Sequence, residues 1–277
     1  MKTIFIIIVH MCLIQVVQAQ NKPQSKDDVL FEQAVEHFED EKFQAAAEGF
    51  QRLMNEYPRS PLLARAHYNL ALSRYRMKEY ETSKKLFREI LEQPYNEQDE
   101  NSLMEPYALY KHHSSRYLAA MALQEKDYKA TEKYIYLFDK EYPYQHFCGN
   151  EWSAYHMYKA LMSAKVYEGT DRVKKAIEEL LPYVFSDALA SNHEVLDELS
   201  EIMDRHFPKE ETQLEFKRAL ESLQIKEKKR ETSATIQLFG VTIQVEEYFF
   251  EDPEKKASAQ EYYQQKVKEN SLFKKYL

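Results

Sequence analysis

Glycine is scarce in this chain. Only Gly49, Gly149, Gly169 and Gly240 occur among 277 residues, and no two lie close together. Loops that cradle phosphates need several glycines so that the backbone can approach the ligand. P-loop, dinucleotide-binding and kinase chemistry are thereby excluded. Positive charge is also in deficit, with 38 basic against 46 acidic side chains and a formal charge of −8. That balance argues against nucleic acid, whose phosphates demand a basic footprint, and leaves protein partners open. Cysteine is limited to Cys12 and Cys148, so no disulfide framework can supply stability. Only one long apolar run exists, and it is N-terminal.

That run fixes an expected compartment. Lys2 precedes Ile4-Phe5-Ile6-Ile7-Ile8-Val9, and the apolar stretch continues to Val17, interrupted by His10 and Gln15. It falls short of the roughly 18–20 unbroken residues that span a bilayer. Val17-Gln18-Ala19 is a small-residue exit for a signal peptidase, so cleavage is expected between Ala19 and Gln20. Val9-His10-Met11 before Cys12 contains no small residue, and apolar sequence follows it, which disfavours lipid attachment there. The expected product is exported, periplasmic or extracellular, and soluble. Cys148 is then its one cysteine and reads as a buried small hydrophobe.

What is present is helical periodicity that repeats. Leu30, Ala34 and Phe38, then Phe43, Ala46, Ala47, Phe50 and Leu53, recur at three- and four-residue steps. Ser25 with Asp28 resembles a capping box, and Tyr57-Pro58 stops the second helix. Ser60-Pro61 then reads as an N-cap and first-turn proline. A second pair of stripes follows, Ala66, Leu70 and Ala71, then Tyr80, Ser83, Phe87 and Ile90. A third has Leu118, Ala119 and Ala122, then Tyr128, Thr131, Ile135 and Phe138, closed by Tyr142-Pro143.

These hairpins resemble the tetratricopeptide (TPR) family. Its pattern sets a small residue in the first helix against an aromatic, a small residue and another aromatic in the second. Ala34 with Phe43, Ala46, Phe50 and Pro58 matches it, as does Ala71 with Tyr80, Ser83 and Phe87. Ala119 with Tyr128, Thr131 and Pro143 also matches, with Ile135 replacing the second aromatic. The family's usual Trp and first-helix Gly are missing. Spacing departs from the usual repeat length because a polar insertion, Gln93 to Asn101, separates the second and third units. The Glu56-Tyr57-Pro58-Arg59-Ser60-Pro61 junction, followed by Ala64, Ala66, Tyr68 and Leu70, is similar to that of bacterial envelope TPR proteins. These include the lipoprotein of the outer-membrane β-barrel assembly machine and the Tol–Pal-associated coordinator. The implied fold is all-α, a right-handed α-solenoid of helical hairpins.

Beyond residue 150 the repeats degrade, as terminal units of solenoids do. Asn150 can cap a helix carrying Trp152, Tyr155, Tyr158 and Leu161; Thr170 or Asp171 can cap the next. Helices over 193–206 and 209–226 follow. Lys226 to Thr232 reads as a solvated charge run. The period then changes to two: with Phe239-Gly240 as a turn, Leu238 faces Val241 and Ile236 faces Ile243, a β-hairpin with one apolar face. That face should pack on the last helical unit. Asp252-Pro253 caps a polar helix to Asn270. The expected organisation is a leader over 1–19, a linker over 20–26, a helical-repeat domain over 27–225, a charged linker over 226–233, a β-hairpin over 234–248 and a C-terminal helix over 249–277.

No chemistry emerges from the side chains. Adjacent His112 and His113 point to different helix faces, and His193-Glu194 has no second His at zinc-protease spacing. His146, Cys148 and His156 supply too few ligands for a closed metal site. No Gly-flanked Ser elbow exists, and Glu178-Glu179 and Glu210-Glu211 read as solvated helix faces. No catalytic residue, metal or cofactor is expected. Recognition is the expected function. By alignment with the family, the groove-facing candidates are Phe31, Val35 and Phe38, then Arg65, Tyr68, Leu72, Tyr75 and Arg76, then His113, Arg116 and Leu123. Phe31 and Val35 occupy positions where some TPR domains carry a carboxylate clamp of Lys and Asn, so that clamp is not expected. The expected partner is a protein or peptide, in association with an envelope complex, with Arg65, Arg76 and Arg116 orienting its acidic groups. Docking through the hairpin edge and an envelope hydrolase or hydrolase activator are the alternatives.

Overall fold

The structure is a computed structural model that describes residues 25–95, 108–145, 149–186, 190–227, 231–249 and 259–277. The expected leader with its expected cleavage between Ala19 and Gln20, and Cys12, His146 and Cys148, lie outside the described residues. The chain divides into two compact units, up to Tyr95 and from Asn96 onward.

The first unit holds two helical hairpins. Helix α1 (Lys26–Glu39) pairs with α2 (Phe43–Glu56), and α3 (Leu63–Arg76) with α4 (Tyr80–Glu92). Ser25 and Asp28 form the expected capping box, each side chain accepting from the other's backbone N–H. Ser60 does not cap α3 at its own position. Its hydroxyl accepts from Leu62 N at 3.1 Å and donates to Asp27 at 2.6 Å, and the helix starts at Leu63. Ala34, Ala46, Ala47, Phe50 and Leu53 are buried. The small residues set the approach of α1 to α2: a Cβ on Gly49 would lie 2.8 Å from the Ala34 Cβ. Ser83 keeps a hydroxyl in this interior because its Oγ donates to the Ala71 carbonyl at 2.9 Å.

The second unit continues the same construction. Helix α5 (Tyr110–Gln124) pairs with α6 (Tyr128–Tyr136), which runs into one π-helical turn, Leu137–Glu141. Helix α7 (Gly149–Gly169) pairs with α8 (Val173–Leu180), and α9 (His193–His206) precedes α10 (Lys209–Glu221). Four hairpins share one turn geometry. Glu41, Lys78, Lys126 and Asp171 all have φ between 58° and 63°, each two residues before the second helix. The fourth hairpin is therefore a full repeat by backbone, although its side chains had drifted from the pattern. The fold is TPR-like and predominantly α-helical, with a small sheet near the C-terminus.

The sheet corrects two expectations. Helix α10 ends at Glu221 rather than near 226, and Gln224–Glu227 is a strand, β1, that spans the expected end of the helical domain and the start of the expected charged linker. It pairs antiparallel with β2 (Glu231–Leu238), which pairs with β3 (Val241–Phe249), giving three strands in the order β1-β2-β3. The helix stops because Ser222 turns back on it, donating to the Ala219 carbonyl and accepting from Gln237 N at 2.8 Å. The hairpin register is as expected, Leu238 opposite Val241 and Ile236 opposite Ile243, with a bulge near Ala234. Ile236, Leu238 and Ile243 are fully buried in the core that α7 to α10 build. Helix α11 (Ala259–Glu269) covers the sheet, where Tyr263 donates its buried hydroxyl to the Thr232 carbonyl at 2.6 Å. The expected single C-terminal helix is broken at Asn270, which caps a last helix, α12 (Ser271–Tyr276).

Candidate protein-binding surfaces

The groove candidates divide into those that face open clefts and those that close their own hairpins. On α1, Phe31 is buried, its ring 5.6 Å from that of Phe50. Phe38 packs edge-on against Phe43 at 5.3 Å, inside the α1–α2 hairpin. On α3, Tyr68 lies against Phe87 at 6.0 Å and Tyr75 against Tyr80 at 5.6 Å, so both rings serve the α3–α4 hairpin. Leu72 is half-buried and Arg76 exposed. The structure does bring Phe31, Val35 and Arg65 together. They line a cleft of about 440 Å³ between α1 and α3, with Leu62 completing its apolar part. The Arg65 guanidinium lies over the Phe31 ring, 5.2 Å from its centre.

In the second unit, Leu123 lines a cleft of about 500 Å³ formed by α5, α7 and α9. Its floor is Leu123, Leu161, Met162 and Tyr158. Arg116 lies over the Tyr158 ring at 4.1 Å. His113 does not face this cleft. It lies half-buried, 5.2 Å from the ring of His112, and burial, then His112 and Arg116, push its pKa down to about 3. His112 is fully buried among Phe138, Tyr144 and Tyr155, and its pKa falls to about 4. Desolvation is the main cause, as charge is disfavoured where water is excluded. Its Nδ1 donates to the Tyr142 carbonyl at 2.9 Å, and Nε2 has no partner among the described residues. His112 is a packing element holding α5 to the segment that follows α6.

Both clefts carry acidic walls that the sequence reading passed over. Asp28, Glu32, Glu36 and Glu39 line the first, and Glu194, Asp197, Glu198 and Glu201 the second. Arg65 and Arg116, expected to orient acidic partner groups, each lie over an aromatic ring, Phe31 and Tyr158, and Arg65 shares its cleft with the carboxylates. The signal was available in the four-residue spacing of Asp28, Glu32 and Glu36, and in Glu194, Asp197, Glu198 and Glu201 on one face of α9.

Among the described residues no group of three His, Cys, Asp or Glu side chains converges as a metal site, and no helix is long and apolar enough to cross a membrane. The hairpin's apolar face is buried in the core of the second unit, and the outer edge of its first strand is paired with β1.

Repeated hairpins with clefts on the first-helix face define a TPR-like helical-repeat protein. Residues 23–114 match the profile of the YfiO family, described as an outer membrane lipoprotein. The match spans both hairpins of the first unit and reaches the start of α5, in agreement with the resemblance to envelope TPR proteins. No curated protein matches the chain in sequence.

Proposed function

We propose that this protein is a non-catalytic scaffold of the cell envelope that holds a protein partner in the first-helix clefts of its repeats. The observation that carries the reading is the pair of open, apolar-floored clefts, one in each unit, on the faces that the repeat pattern assigns to recognition. The half-buried apolar residues of these clefts, Val35 and Leu62 in one and Leu123 in the other, are suited to a partner's apolar anchors, where binding energy concentrates.

The test replaces floor residues without disturbing the interior. Val35 and Leu123 are both half-buried and line the two clefts. In a Val35→Gln, Leu123→Gln variant with unchanged helical circular dichroism, capture of the protein's envelope partner should weaken by roughly 1–3 kcal/mol. Undiminished capture would remove the clefts from the function.

Envelope residence follows the family description, and the mode of residence follows the leader. The mature chain is proposed to begin at Gln20 and to carry no lipid. Mass spectrometry of the exported protein should give an N-terminus at Gln20; an acylated Cys12 would reverse this and make the protein an anchored lipoprotein.

A further inference from the structure

The chemistry of the partner can be narrowed from the α5–α7–α9 cleft. Glu194, Asp197, Glu198 and Glu201 stand at three- and four-residue steps, forming one wall along α9. Lys165 is the single cation among the lining residues, and it is already paired with Glu198 at 2.8 Å. Glu201 is paired with Arg205 at 3.0 Å. Glu194 and Asp197 are exposed and make no ion pair or hydrogen bond among the described residues. Half-buried Leu123 and the tips of the buried Leu161 and Met162 line the same cleft from α5 and α7. The α1–α3 cleft independently repeats the composition, an apolar floor beneath a row of carboxylates.

We propose that the α5–α7–α9 cleft takes a basic amphipathic segment of a partner protein, its apolar side on Leu123, Leu161 and Met162 and its lysines or arginines against Glu194 and Asp197. The inference deepens the scaffold reading and rests on it. An acidic segment would bring like charges together without water to screen them, which complementary interfaces avoid. A wholly apolar segment would leave the carboxylates of the wall desolvated and unmatched. The helix carrying the wall has 14 residues, about 21 Å, enough to lie along three to four turns of a partner helix. The excess of 46 acidic over 38 basic side chains would also draw a basic segment in from a distance.

The experiment measures binding to the full chain of two synthetic helical peptides about four turns long. Both carry leucine at three- and four-residue steps; one has lysine and the other glutamate at the flanking positions. The lysine peptide should bind, and should weaken roughly tenfold with Glu194→Gln, Asp197→Asn and again with Leu123→Gln. It should weaken with added salt, and the glutamate peptide should not bind. Equal or tighter binding of the glutamate peptide overturns the proposal, as does lysine-peptide binding indifferent to the Glu194 and Asp197 substitutions. Failure of both peptides to bind also overturns it, as does concentration-dependent self-association that Leu123→Gln abolishes, which would assign the cleft to a second copy of the chain. If the peptides fail while Val35→Gln, Leu123→Gln still weakens partner capture, the scaffold reading stands and the basic chemistry alone falls.

Discussion

Replacing Phe216 with Ala should cost the second unit about 3–5 kcal/mol, the range for a large aromatic removed from a packed interior. Phe216 sits on α10, is fully buried, and meets the rings of Phe273 and Tyr276, each with centroids 4.8 Å away. It is the seat of the last helix. Tyr276 also donates to Asp204 at 2.8 Å and Lys275 pairs with the same carboxylate, but those contacts lie at the rim. Without the ring, α12 loses its apolar anchor while its polar contacts stay open to water. Urea unfolding should report the loss, and limited proteolysis should cut first near the C-terminus. A change under about 1 kcal/mol would mean the site collapses without a cavity and that α12 docks by its polar rim.

Acid should weaken the second unit through His112 before most carboxylates titrate. The buried imidazole is held neutral, with a pKa of about 4 in the fold against 6.5 for the ordinary side chain. Its contribution is complete above pH 6.5. As pH falls below that, the unfolded chain takes up a proton that the folded chain refuses, and stability drops by about 1.4 kcal/mol per pH unit until the folded pKa is reached. The expected loss by pH 5 is ~2 kcal/mol from this residue. His113, held down to about 3, adds in the same direction. His112→Gln keeps a donor for the Tyr142 carbonyl and removes the titration. It should be less stable at pH 7 and lose less between pH 7 and pH 5. Parallel slopes for the variant and the original would show that His112 takes its proton without resistance.

The helical hairpins were legible because small and aromatic residues recur at helical spacing. Ala34 against Phe50 and Ala71 against Ser83 belong to one interior each, and burial leaves no freedom in what occupies them. The β-hairpin register was legible for a similar reason, since a slip by one residue would turn Ile236 and Ile243 to the opposite face. Strand β1 was not legible. A short edge strand needs only one apolar contact, here Ile225, and an exposed charge such as Lys226 disfavours pairing with other chains. Those charges read as a linker.

The candidate site was legible only in part. On α3, Arg65 and Tyr68 lie about 60° apart around the helix axis, so one stripe assigned by family position spans two directions. Arg65 reaches the cleft; Tyr68 and Tyr75 turn towards α4. The acidic walls escaped notice because carboxylates on an exposed helix face are the ordinary state of a soluble helix. Their meaning depends on what shares the cleft with them, and only the packing of α5, α7 and α9 brings Leu123 and Met162 into the same lining.

The four matching turns carry a consequence for how this architecture is maintained. Glu41, Lys78, Lys126 and Asp171 adopt a left-handed conformation that costs a side-chain-bearing residue about 1 kcal/mol or more. The chain spends none of its few glycines on them. Their geometry must therefore be imposed from outside, by the closure of one helix of each couple onto the other, rather than by any local preference of the connecting peptide. Connectors held in this way are exchangeable parts, free to drift in sequence while the spacing of the layers they join stays constant.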